Sequence, residues 1–127
     1  MVCVFSFILF SERGIVFAGP PLSGDWVVTG TESYSSQTIV LDGNLIVESG
    51  GNLTFRRVTF ELDCSFDGEF GIEVRDGGSF YILEDSIITS ASSNRYSFSV
   101  RQGSIFRMSD SELHYCGWKG ATGLEIN

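Results

Sequence analysis

The chain repeats itself. Three segments align: NLIVESGGNLTF from Asn44, GIEVRDGGSFYI from Gly71 and SFSVRQGSIFRM from Ser97, with a fourth, GLEIN, beginning at Gly123. Their starts lie 27, 26 and 26 residues apart. Leu45, Ile72, Phe98 and Leu124 share one position, and Val47, Val74, Val100 and Ile126 share another. Beyond a glycine turn, Leu53, Phe80 and Ile105 are matched. A second short strand follows, in which Asp85-Ser86-Ile87-Ile88 matches Asp110-Ser111-Glu112-Leu113, and Val58 to Phe60 fills the same place.

Within each repeat the apolar residues alternate, as in Leu45-Ile46-Val47 and Ile72-Glu73-Val74. A period of two means strand with one face buried. Gly50-Gly51, Gly77-Gly78 and Gly103 punctuate the repeats as turns that need positive φ. No stretch keeps helical spacing over three turns, so helix is disfavoured throughout. A unit of about 26 residues built this way cannot bury its apolar face alone. Stacking successive units in parallel, strand on equivalent strand about 4.8 Å apart, solves that problem. The alignment therefore predicts interior columns Leu45-Ile72-Phe98-Leu124, Val47-Val74-Val100-Ile126 and Leu53-Phe80-Ile105. It also predicts an exterior column of Glu48, Arg75 and Arg101, in which the two arginines need a further carboxylate. A β-sandwich would explain the alternation but not the equal offsets.

The G-G-[NS]-[LF]-x-[FI] element at Gly50 and Gly77 and the D-S-x-[IL] element at Asp85 and Asp110 resemble the parallel β-helix repeats of the pectin-lyase-like superfamily. The nearest flavour is that of exported bacterial and archaeal NosD-like proteins. GDWVVTGTE at Gly24 looks like the lead-in coil of such domains. The resemblance covers Gly24 to Asn127 and implies an all-β, right-handed, single-stranded parallel β-helix of three to four coils. Its domain spans 19–127, with a lead-in at 24–43 and repeats from 44, 71, 97 and 123. By this register Asn127 falls in mid-coil, which points to a piece of a longer helix, a cap, or end-to-end self-association.

Residues 1–18 read as a leader. Val2 to Phe10 is a nine-residue apolar run, too short for a membrane helix, and Val16 and Ala18 suit cleavage before Gly19. Export to the cell surface or beyond is the expectation, although no Lys or Arg precedes the run. The net charge of -8 argues against nucleic acid and anionic membranes as partners. One His and three Cys exclude a dense zinc site.

Catalytic chemistry is hard to find. The N-T-D, D-D, H-G and R-I-K strings of polygalacturonase-type enzymes are absent. For a lyase, Arg56, Arg57 and Arg75 are the candidate bases, and Asp63, Asp67 and Glu69 the candidate calcium ligands. Those carboxylates lack a calcium-loop pattern and read as a solvated loop; calcium is the one cofactor they admit. Glu84, Asp85 and Asp110 are the other carboxylates to weigh; Asp85 and Asp110, neighbours up the stack, read as turn formers rather than an acid/base pair. His114 reads as a surface residue, and Cys64 and Cys116 as separate thiols two repeats apart. Asn52-Leu53-Thr54 is a glycosylation sequon. Tyr81 and Phe106 are expected to face outward above Thr54, with Tyr96, Tyr115 and Trp118 in loops. Tyr81, Phe106, Tyr115 and Trp118 are the candidate sugar contacts. The leading expectation is a structural or adhesive surface module with weak carbohydrate affinity. The rival is the N-terminal part of a polysaccharide lyase or glycoside hydrolase.

Overall fold

A computed structural model of the chain describes residues 19–117 and 123–126. The expected leader and Trp118 lie outside the described residues. The described chain is all-β, without a helix. Its strands are β1 (Trp26–Val28), β2 (Thr31–Leu41), β3 (Leu45–Val47), β4 (Asn52–Leu62), β5 (Gly71–Val74) and β6 (Ser79–Leu83). There follow β7 (Ile87–Ser90), β8 (Ser97–Val100), β9 (Ile105–Met108), β10 (Glu112–Leu113) and β11 (Leu124–Ile126).

The strands form two sheets in which every described pairing is parallel. The first has the order β1-β3-β5-β8-β11 and the second β10-β7-β4-β6-β9, with β2 also on β4. Trp26 pairs with Leu45, Leu45 with Ile72, Ile72 with Phe98 and Phe98 with Leu124. Two residues on, Val28, Val47, Val74, Val100 and Ile126 form the second predicted column. The lead-in segment thus supplies a full layer. Its Trp26 sits only 19 residues before Leu45, whereas the later offsets are 27, 26 and 26, so simple periodicity does not reveal it.

The third predicted column is wrong in its last member. Phe80 pairs with Phe106, and Ile105 pairs with Ser79 and is exposed. The turns explain the slip. Gly51, Gly78 and Ser104 each donate an N–H to the residue three back, Glu48, Arg75 and Arg101 respectively. Gly50, Gly77 and Gly103 occupy the third position of these turns at φ 87, 84 and 86°, where a type II turn calls for glycine. Ser104 therefore replaces Gly78, and six residues separate Val100 from Phe106 as they separate Val74 from Phe80.

The core is an aromatic-rich file between the sheets. Phe55 meets Phe80 edge-on with centroids 5.3 Å apart, and Phe98 meets Phe106 at 5.4 Å. Such pairs add about 0.5–1.5 kcal/mol each beyond area burial. At its N-terminal end the file carries one buried acid, Glu32, stacked on Leu53. The Tyr34 hydroxyl donates to it at 2.6 Å, so the carboxyl is not left unpartnered. Burial first, and Glu32 second, push the Tyr34 phenol well above its usual range.

A second corner divides the strands of the larger sheet. There Ser36, Arg57, Glu84, Asp85 and Asp110 take φ between 51 and 64°. The second repeat has one extra residue at this corner: Phe55 and Thr59 pair with Ile82 and Ile87. Buried Ser86 closes the gap this leaves. Its hydroxyl donates to Leu83 O at 2.7 Å and accepts the Val58 N–H at 3.1 Å.

Candidate functional site

Alternation puts a second set of columns on the outer face of the larger sheet. Ser33, Thr54, Tyr81 and Arg107 form one, and Ser35, Arg56 and Leu83 the next. From these columns Thr54, Tyr81, Arg107, Arg56 and Leu83, together with Thr31, Asn52, Glu84 and Ser109, line a shallow groove of about 620 Å³. That volume is within the range of ligand clefts. Tyr81 stands at its middle, half-buried, one strand from Arg107 and one strand from Arg56. Its neighbours are hydroxyls, an amide, two guanidiniums and one carboxylate. A ring with polar edges would find an aromatic face below it and donors and acceptors around it.

The acid–base pairs at the rim are well defined. Arg56 Nε donates to Glu84 Oε2 at 2.9 Å, and Arg57 holds the other Glu84 oxygen from across the corner. Arg57 Nε also donates to Ser36 Oγ at 3.2 Å. Exposed pairs of this kind contribute about 0.2–1 kcal/mol each. Arg107 has no ion-pair partner among the described residues.

Of the candidate sugar contacts among the described residues, Tyr81 alone lines the groove. Phe106 does not face outward. It packs on Phe80 and Phe98 at the edge of the core, and Arg107 takes the place above Tyr81 that the alignment gave to Phe106. Tyr115 is exposed but does not line the groove. Tyr96, expected in a loop, is fully buried, with its hydroxyl donating to Ile88 O at 3.2 Å. Asn52 of the sequon opens β4 and lines the groove beside Thr54. Arg107, Leu83 and Ser109 were missed; an ungapped 26-residue offset through the third repeat would have placed Arg107 over Tyr81.

The remaining candidates are occupied elsewhere. Asp67 accepts the Arg95 N–H, which ties the acidic loop to the loop one repeat on, and Glu69 accepts the Ser65 N–H within the loop. No group of three possible metal ligands occurs among the described residues. Asp85 and Asp110 are exposed and stack through backbone, Asp85 N–H donating to Asp110 O at 2.8 Å. His114 is exposed and lies 2.7 Å from Glu112. Cys64 and Cys116 are free thiols. Burial raises both, Cys116 to about 11, so neither is a thiolate at neutral pH. Arg75 bonds Glu48 at 2.9 Å and Glu73 at 3.1 Å, and Glu73 also takes Arg101 at 2.8 Å. Glu73 is the further carboxylate that the two stacked arginines require. Burial alone would raise its carboxyl, but the bonds from Arg75 and Arg101 outweigh that and hold it below the usual value.

No protein-family model, curated protein or solved structure matches the chain.

Proposed function

We propose that the chain is a right-handed parallel β-helix module of the pectin-lyase-like kind, exported or at the cell surface, with a structural or adhesive role. Its weak carbohydrate affinity resides in the Tyr81 groove. The in-register parallel pairing of successive repeats supports the architecture. The observation that carries the functional reading is the outward aromatic ring of Tyr81 set among Thr54, Asn52 and Arg107. A shallow groove covers one face of a ring, which suits weak, repeated contact better than tight capture. The expected export rests on the apolar run Val2 to Phe10.

The scaffold reading is preferred to a lyase or hydrolase for a chemical reason. Glu84, the one carboxylate lining the groove among the described residues, is tied to two arginines. Hydrolysis of a glycosidic bond calls for two carboxylates flanking it, and the groove offers this one among the described residues. Calorimetric or NMR titration with neutral and acidic oligosaccharides tests the reading. Tyr81→Ala should weaken binding at least fivefold, about 1 kcal/mol, while leaving the unfolding midpoint close to that of the parent. Binding that ignores this substitution, or no binding to any oligosaccharide, overturns it.

A further inference from the structure

We infer that Glu84 is a built-in counter-anion that sets the charge selectivity of the Tyr81 groove, which takes saccharides bearing carboxylate or sulfate groups in preference to neutral ones. This rests on reading the groove as a glycan site. The protein carries a net charge of -8, yet this groove is lined by two guanidiniums and a single carboxylate. Arg107 stands beside Tyr81 in register and has no ion-pair partner among the described residues. Arg56 lies on the opposite side of Tyr81 and is covered by Glu84. One anionic group on a bound saccharide thus has an open cation at Arg107. A second, reaching across Tyr81, meets an Arg56 already taken.

The corner makes that second site exchangeable. Glu84 has two guanidinium partners, Arg56 within the groove and Arg57 across the bend. If a ligand anion takes Arg56, Glu84 keeps Arg57, and no charge is left unpaired. All three side chains are about half exposed, so the exchange costs little desolvation. Glu84 stands level with Arg57 in register, the Arg57 N–H donating to Glu84 O, and the extra residue of this corner, Asp85, follows directly after it.

The test compares a galacturonate hexamer, a sulfated heparin hexasaccharide and neutral cellohexaose as titrants of the full chain. The parent should bind the charged probes more tightly than the neutral one, and added salt should narrow the gap. Glu84→Gln should tighten the charged probes about two- to fivefold and leave the neutral one unchanged. Arg107→Gln should erase the preference for charge. The carboxylated and sulfated arms tell which anion the groove favours. A Glu84→Gln protein that folds with the parent's unfolding midpoint yet shows the parent's charged-to-neutral ratio, or weaker charged binding, overturns the inference. If the three probes bind equally and Tyr81→Ala loses them all, the glycan reading stands and this inference falls. If none binds, the glycan reading itself has failed.

Discussion

At one corner of each repeat the chain turns through Gly50, Gly77 and Gly103 at φ 84 to 87°. At the other it turns through Ser36, Arg57, Glu84, Asp85 and Asp110 at φ 51 to 64°. Both corners stack through backbone bonds: Gly50 N–H donates to Gly77 O at 3.0 Å, and Arg57 N–H to Glu84 O at 2.9 Å. The difference lies in what surrounds the Cβ position. A Cβ on Gly77 would stand 2.5 Å from Ser49 Oγ, and one on Gly51 2.3 Å from the Val28 carbonyl oxygen. At Gly51, Gly77 and Gly78 this corner has no room for a Cβ, so glycine is dictated there, while the third repeat admits Ser104 in the place of Gly78. The second corner lets side chains out to solvent, where Arg57, Ser36 and Glu84 bind one another. A polar side chain that bonds locally tolerates the left-handed region, at a cost of about 1–2 kcal/mol. The crowded corner fixes register, and the roomy corner is free to carry charge and an insertion.

The largest expected effect comes from breaking the crowded corner. Gly51→Ala drives a methyl into two carbonyl oxygens, Val28 at 2.3 Å and Glu48 at 3.0 Å. A loss of about 3 kcal/mol is expected in urea denaturation, as a shifted midpoint with little change in slope. A loss below about 0.5 kcal/mol would show that this corner is not crowded in solution. The complementary change at the roomy corner should do little. Asp110→Gly relieves a positive φ and frees the unfolded chain, so stability stays level or rises by up to about 1 kcal/mol. A marked loss instead would assign Asp110 a bond that its exposed position does not suggest.

The smallest effect concerns the charges on the strands before the crowded corner. Glu73 has its carboxyl lowered by Arg75 and Arg101. A lowered carboxyl stabilises the fold at pH above its ordinary value of 4.5, and this contribution is lost as pH falls through the lowered value. Parent and Glu73→Gln should therefore differ slightly at neutral pH and converge in acid. A gap that persists in strong acid would mean that Glu73 acts by packing rather than by charge.

These contrasts explain what could be read in advance. Leu45, Ile72 and Phe98 align because each must fill the same interior slot, and glycine recurs where each turn needs a positive φ. The slip at Ile105 arises because the third turn shows one glycine, Gly103, where the others show two, and Ser104 holds the position of Gly78. That one-residue error turned Phe106 outward and hid Arg107, since a shift of one exchanges the faces of a strand. The second corner left little trace, because arginine and glutamate are not turn residues and their pairing spans 27 positions. Asp85 and Asp110 were its only legible members. The groove was half readable: Tyr81 and Arg56 stand out in the sequence, whereas the place of Arg107 depends on a register that the single glycine of the third turn obscures.

The backbone pairing has a further consequence for change over time. Register passes only between neighbouring layers, each strand resting on the one a single repeat away. Stability in such an arrangement is close to a sum of unit and neighbour contributions. Duplicating or excising one whole period would leave every remaining layer with a partner of the same shape, whereas losing a single residue within a strand would turn its side chains inside out. Growth by complete periods, with novelty confined to the permissive bend, is the path of least resistance for a lineage built this way.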